Sequence, residues 1–251
     1  MKCLDHGYVN LVESWGSDER IIEAARMSTS KGFVGWGGVE PCKKCTAHGA
    51  LDADGLYATA AWKFQRERCS ACGGSGKTIG DERLLRFLWE HKHATPFEMA
   101  GMTIEIQAPI FVFREWHRHR TQSYNEMSAR YTPLPDVNYI PTLARVMMRG
   151  GANKQAIGTG IELTEFHAIA FILNLTKSYT EAEAQYQTAL ADGVPKELAR
   201  CFLPVGRYSR MRASANLRNW LGFLMLRMAP AAQWEIRQYA AQVGGVIGEL
   251  F

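Results

Sequence analysis

The sequence predicts an α+β fold, a mixed sheet flanked by helices, and three observations carry that prediction. Met102, Ile104, Ile106 and Ala108 alternate with Thr103, Glu105 and Gln107, which is the period of a half-buried strand. Capped segments with apolar residues at helical spacing lie on both sides of it. The composition, 47% hydrophobic and 22% charged over 251 residues, is that of an ordinary globular protein with material for a core. A single domain over 1–251 is expected, interrupted by an insertion at about 35–80.

The elements follow in chain order. Ser17 can cap a short amphipathic helix, SDERIIEAARMS, whose first turn carries Asp18 and Glu19 and whose apolar side has Ile21, Ile22 and Ala25. Residues 31–80 are rich in Gly, Cys and Lys without a sustained period, as in an insertion. Order resumes at Asp81, a candidate cap for DERLLRFLWEHK with Leu84, Leu85 and Leu88 on one side; this helix stops before Thr95-Pro96. After the alternating strand, Pro109 suits the first turn of a helix through IFVFREWHRH. A long helix is expected over 161–191, a shorter one from Pro195 through PKELARCFL, then a strand, GRYSRMRA, and helices over 216–228 and 231–250. Trp220, Phe223 and Trp234 sit at helix spacing and are expected in the core. Cys201, inside the PKELARCFL helix, is expected to be a buried, inert thiol.

The formal charge of +4 favours an anionic ligand but is small for a dedicated nucleic-acid binder. No stretch of about 18 apolar residues occurs, and MKCLDHGYVN lacks a basic-then-apolar leader pattern, so the expectation is a cytoplasmic protein. In a reducing compartment the pairs Cys42/Cys45 and Cys69/Cys72 point to metal ligation rather than disulfides. Two such knuckles suit tetrahedral zinc with four thiolates, and Gly73-Gly74 permits the tight turns this needs; a redox dithiol and an iron-sulfur cluster are the alternatives.

The most informative run is EWHRHRTQSYNEMSARY, where Arg118, His119, Arg120 and Arg130 accompany Glu126, Ser123 and Ser128. Guanidinium forks suit phosphate, and the hydroxyls and amides of a Ser-Ala-Arg turn can complete such a cradle. A solvated basic helix end is the plain alternative. Arg118-His119-Arg120, seven further residues and Ser128 resemble the signature of the flavin-dependent thymidylate synthases. Collinear blocks extend the likeness: AARMS, HATPFE, APIFVFREW, GVPKELAR and QWEIRQYA.

The resemblance implies reductive methylation of dUMP to dTMP, with FAD as cofactor, 5,10-methylenetetrahydrofolate as carbon donor and NADPH as reductant. It implies FAD contacts from His93, Thr95, Arg118, His119 and Arg120, with Glu126 beside them, and from Asn216 and Arg218. It implies a dUMP cradle of Ser128, Ala129, Arg130, Arg200 and Arg227, with Glu115, Arg118 and Glu126 adjoining. It further implies a homotetramer whose active sites lie at subunit junctions. The residue types agree. No cysteine is a good candidate to attack the pyrimidine, so a guanidinium at its carbonyl edge must stabilise the developing charge, and Arg227 is the choice.

Three positions depart from the pattern: Glu115 stands where Gln is common, Gly222 where a polar residue is common, and Ala231 where His is usual. An acid at 115 must point away, be paired, or alter ligand preference. Two rival readings stay open, a hydroxymethyl-forming relative using the same cofactors and a zinc-dependent nucleic-acid-binding protein on this scaffold.

Overall fold

A computed structural model describes residues 1–37, 80–148 and 162–251, which divide between two compact units: Met1–Trp15 with Gly101–Phe251, and Gly16–Ala100. The first unit holds a five-stranded sheet of β1 (Lys2–Cys3), β2 (Gly7–Trp15), β3 (Gly101–Pro109), β4 (Ser123–Glu126) and β5 (Tyr208–Asn216). The strand order is β1-β2-β3-β5-β4, and every pairing is antiparallel. The expected mixed sheet is therefore corrected. Strict polar alternation along β3 is the pattern of an antiparallel sheet with one wet face, whereas parallel strands covered on both faces read as continuous apolar runs.

On the inner face Met102, Ile104, Ile106 and Ala108 are fully buried. On the outer face the Thr103 hydroxyl donates to Ser214 Oγ at 2.9 Å and the Tyr8 hydroxyl to Glu105 Oε1 at 2.9 Å. Helices α3 (Ile110–Trp116), α7 (Leu217–Arg227) and α8 (Trp234–Leu250) close the inner face. Trp116 stacks on Phe223 with ring centres 4.6 Å apart, Trp220 Nε1 donates to the Met102 carbonyl at 3.0 Å, and Tyr239 donates to the Gln107 carbonyl at 2.9 Å. Trp116, Trp220, Phe223 and Tyr239 are fully buried, so each buried polar tip finds an acceptor. Trp234 is only half-buried, with the Arg145 guanidinium, from α4 (Leu143–Met147), 5.4 Å from its ring.

The long helix α5 (Glu165–Ala191) buries only Ala168, Tyr186 and Ala189. It is pinned by Glu183, whose carboxylate pairs with Arg207, a guanidinium 1% exposed that also pairs with Asp136. The expected PKELARCFL helix is shorter, α6 (Lys196–Ala199) followed by a 3-10 turn, Arg200–Phe202. Cys201 is exposed on that turn, which corrects the expected buried thiol: the tightened turn rotates it off the apolar side.

In the second unit, α1 (Asp18–Arg26) starts as expected, with Ser17 Oγ accepting from the Arg20 amide at 3.4 Å. Asp81 precedes α2 (Glu82–Glu90) but makes no capping bond. Its fully buried carboxylate instead pairs with Arg26 and accepts from the Val34 amide at 2.8 Å. Cys42, Cys45, Cys69 and Cys72 lie outside the described residues. Among the described residues no group of three or more His, Cys, Asp or Glu could hold a metal, and no helix is long and apolar enough to cross a membrane.

Candidate active site

The site is assembled where α3 ends. The helix predicted to run on through His119 stops at Trp116, and the chain turns through His117 and Arg118 before β4 begins. The Tyr124 hydroxyl fixes this turn: it donates to the His119 carbonyl at 2.7 Å and lies 3.1 Å from Gln122 Oε1, the acceptor for Trp116 Nε1 at 3.1 Å. The turn presents His119 towards α7, whose last residue is Arg227.

Arg227 is held on all three nitrogens. Its Nε donates to His119 Nε2 at 2.7 Å, one terminal nitrogen pairs with the Glu115 carboxylate, and the other donates to the Glu115 carbonyl at 3.4 Å. Burial, reinforced by the Arg227 charge, lowers the His119 pKa to about 4. His119 is therefore a neutral imidazole that accepts at Nε2 and carries its proton on Nδ1. Burial raises the Glu115 carboxyl above the ordinary range; Arg227 opposes that rise, and Glu235 adds to it. The ion pair thus offsets only part of the desolvation. Of the three outcomes left open for Glu115, the structure shows pairing.

Other predicted residues form a second grouping. Arg130 Nε lies 3.8 Å from Glu197 Oε2, and Arg200 Nε donates to the Glu197 carbonyl at 3.2 Å, so both arginines meet one turn of α6. A cavity of about 330 Å3 is lined there by Arg130, Tyr131, Pro195, Lys196 and Glu197. Ser128 Oγ accepts from the Arg130 amide at 3.4 Å, folding the Ser-Ala-Arg turn, with Ala129 buried beneath it. Arg118 and Arg120 are exposed and have no side-chain partner among the described residues. Glu126 lies 3.9 Å from His117 Nε2, which also lies 3.1 Å from Met211 Sδ.

Asn216 has a structural task as well, since its side-chain oxygen accepts from the Asn219 amide at 3.0 Å and caps α7. Arg218 is exposed on the first turn of the same helix. His93 and Thr95 belong to the second unit, Thr95 opening a 3-10 turn, Thr95–Glu98. Sequence reasoning missed Tyr124 and Gln122, which fix the turn of the motif, and Lys196 and Glu197, which meet it from α6; nearness in sequence could have flagged the first two, and the GVPKELAR block the others.

Fold and site together define an α+β protein in which one guanidinium, Arg227, is held by a neutral histidine and two more, Arg130 and Arg200, meet one turn of α6, donors of the kind that suit carbonyl and phosphate oxygens. Comparison with known proteins makes this specific. The family model described as thymidylate synthase complementing protein matches residues 10–251. A flavin-dependent thymidylate synthase from Thermus thermophilus is 36% identical over 246 residues, covering 98% of this chain and 73% of the relative. One from Thermosipho melanesiensis is 33% identical over 248 residues, covering 99% and 88%. Among solved structures, the UMP/dUMP methylase PolB from Streptomyces cacaoi bound with 5-Br dUMP matches with a TM-score of 0.69 at 28% identity, covering 100% of this chain and 93% of the other. The chain belongs to the flavin-dependent thymidylate synthase family.

Proposed function

We propose that this protein converts dUMP to dTMP, with methylenetetrahydrofolate supplying the carbon, FAD the reducing centre and NADPH the electrons. The observation that carries this reading is Arg227, a half-buried guanidinium held in place by neutral His119 and by Glu115. Methylation at a pyrimidine carbon needs negative charge stabilised on the adjoining carbonyls. A fixed cationic donor in a partly dry site does this without reorganising. Arg130, Arg200 and the Ser128 turn supply the donors for the nucleotide phosphate, with Glu126 beside them.

The donor set also fits FAD. Arg118 and Arg120 offer exposed guanidinium forks, unpaired among the described residues and suited to a pyrophosphate, and neutral His119 keeps an Nδ1 proton to donate. His93, Thr95, Asn216 and Arg218 complete the proposed contacts. When bound, the flavin supplies the hydride that reduces the transferred carbon. The test is incubation of the purified protein with dUMP, methylenetetrahydrofolate, FAD and NADPH, followed by mass spectrometry. A product at the mass of dTMP supports the reading, and a hydroxymethyl product or none rejects it. PolB, described as a UMP/dUMP methylase, favours including UMP as a second substrate in that assay.

A homotetramer with shared sites accords with the exposed apolar residues of α5, Phe166 at 76% and Leu173 at 64% exposure. A cytoplasmic location accords with the cysteine pattern. Cys42, Cys45, Cys69 and Cys72 are proposed to hold a structural zinc ion. Cys42→Ser combined with Cys69→Ser is then expected to lose zinc and stability while turnover per folded molecule persists. Metal content unchanged by atomic absorption would remove that assignment.

A further inference from the structure

Arg227 has five N–H groups, and the protein uses three of them: the one on Nε for His119 and one on each terminal nitrogen for Glu115. One N–H on each terminal nitrogen is left over among the described contacts. The side chain is 16% exposed and that of Glu115 22%, so the pair sits where solvent screens charge weakly. His119, neutral beside them, contributes no charge. The contact pair is one cation and one anion, which cancel, and the nearest further acid acting on it, Glu235, is itself paired with Arg145.

A cancelled guanidinium still donates hydrogen bonds but no longer attracts a dianion. A phosphate seated on the spare N–H groups would stand near the Glu115 carboxylate and be repelled, whereas a carbonyl oxygen, uncharged in the ground state, would not. The neighbouring arginines differ. Arg118 and Arg120 have no acidic partner among the described residues, and Arg130 faces Glu197 only across an exposed 3.8 Å contact.

We propose that Glu115 is a specificity-determining residue, a fixed internal anion that keeps phosphate off Arg227 and reserves its free N–H groups for the carbonyl edge of the pyrimidine. This rests on the reading of Arg227 as the residue facing the base. A nucleotide then has one productive orientation, because its phosphate is accepted by the other arginines and refused at Arg227.

The test is titration calorimetry of the intact protein with inorganic phosphate at neutral pH. Glu115→Gln keeps size and an acceptor oxygen for Arg227 but removes the charge, and it is expected to gain affinity for phosphate by roughly tenfold or more. Adding Arg227→Ala to that variant is expected to abolish the gain, and Glu115→Ala is expected to reproduce it should Glu115→Gln fold poorly. Phosphate affinity within about twofold of the parent in both single variants, or a gain that survives loss of Arg227, overturns the proposal. Product analysis on the same preparations separates the two ideas: dTMP formation with unchanged phosphate affinity rejects the filter alone. The phosphate gain in the variants, with no dTMP formed by the parent protein, upholds the filter and rejects the activity.

Discussion

Arg227 and His119 constrain each other, because a guanidinium cannot give up its proton and so requires the imidazole nitrogen it meets to be bare. Replacing Arg227 by Ala removes the second cause of the lowered His119 pKa and relieves part of the first, burial. The imidazole titration followed by NMR is therefore expected to move up from about 4 towards the ordinary value. No movement would show that the contact is incidental. The linkage has a definite sign. With the folded pKa about 4 and the unfolded one near ~6.5, the unfolded chain takes up a proton first, so stability is lost as pH falls through that window. Denaturant midpoints measured at pH 7 and pH 4.5 should fall further in the parent than in His119→Gln. The sequence made the arginines and His119 legible, since a motif dense in fixed charge has few structural uses. It could not show that Glu115 binds Arg227: the two are far apart along the chain, and only the turn after Trp116 and the end of α7 bring them together.

At the scale of elements, α7 does two jobs: its first residue is set by Asn216 and its last carries the guanidinium proposed to face the base. Asn216→Ala is expected to cost about 1 kcal/mol through loss of the cap alone, read by thermal or chemical denaturation. Gly222 lies within the same helix, with open space where a Cβ would stand. Gly222→Ala should therefore stabilise by up to ~1 kcal/mol, because a helical glycine is held at an entropic cost with nothing to show for it in packing. A destabilised variant would mean that this space is occupied in the assembled protein. Gly7 is the opposite case. A Cβ there would overlap the Tyr239 hydroxyl and adjacent backbone, so closeness of approach, not a special φ, demands glycine. Elements with an unbroken period were legible: β3, α5 and α8 lie within a few residues of expectation. Strand β2 was not, because its register shifts between Leu11 and Glu13 and leaves Leu11 and Val12 exposed, which hides the alternation. Strand β4 was hidden inside the charged motif: Ser123–Glu126 buries no residue fully, so no apolar alternation marks it.

Across the sheet-bearing unit, α5 is held by a buried cation rather than by a wide apolar face. Arg207 has Asp136 and Glu183 as partners, and its Nε lacks one among the described residues. Glu183→Ala leaves that charge under-compensated and is expected to destabilise by ~3 kcal/mol, a much larger loss than any exposed pair on the molecule would give. Antiparallel topology follows the same logic of scale: one sheet face is polar and wet, so α3, α7 and α8 pack on the other. The central claim concerns how the pyrimidine becomes reactive, through a held guanidinium and without a sulfur nucleophile. The direct measurement is dTMP formed from dUMP by the flavin-loaded protein, quantified by mass spectrometry in the parent, Arg227→Ala and Cys201→Ala. The account predicts parental yield from Cys201→Ala and a fall of roughly 10²–10³ in rate for Arg227→Ala, with flavin still bound. Near-normal turnover in Arg227→Ala, or its collapse in Cys201→Ala, would contradict it.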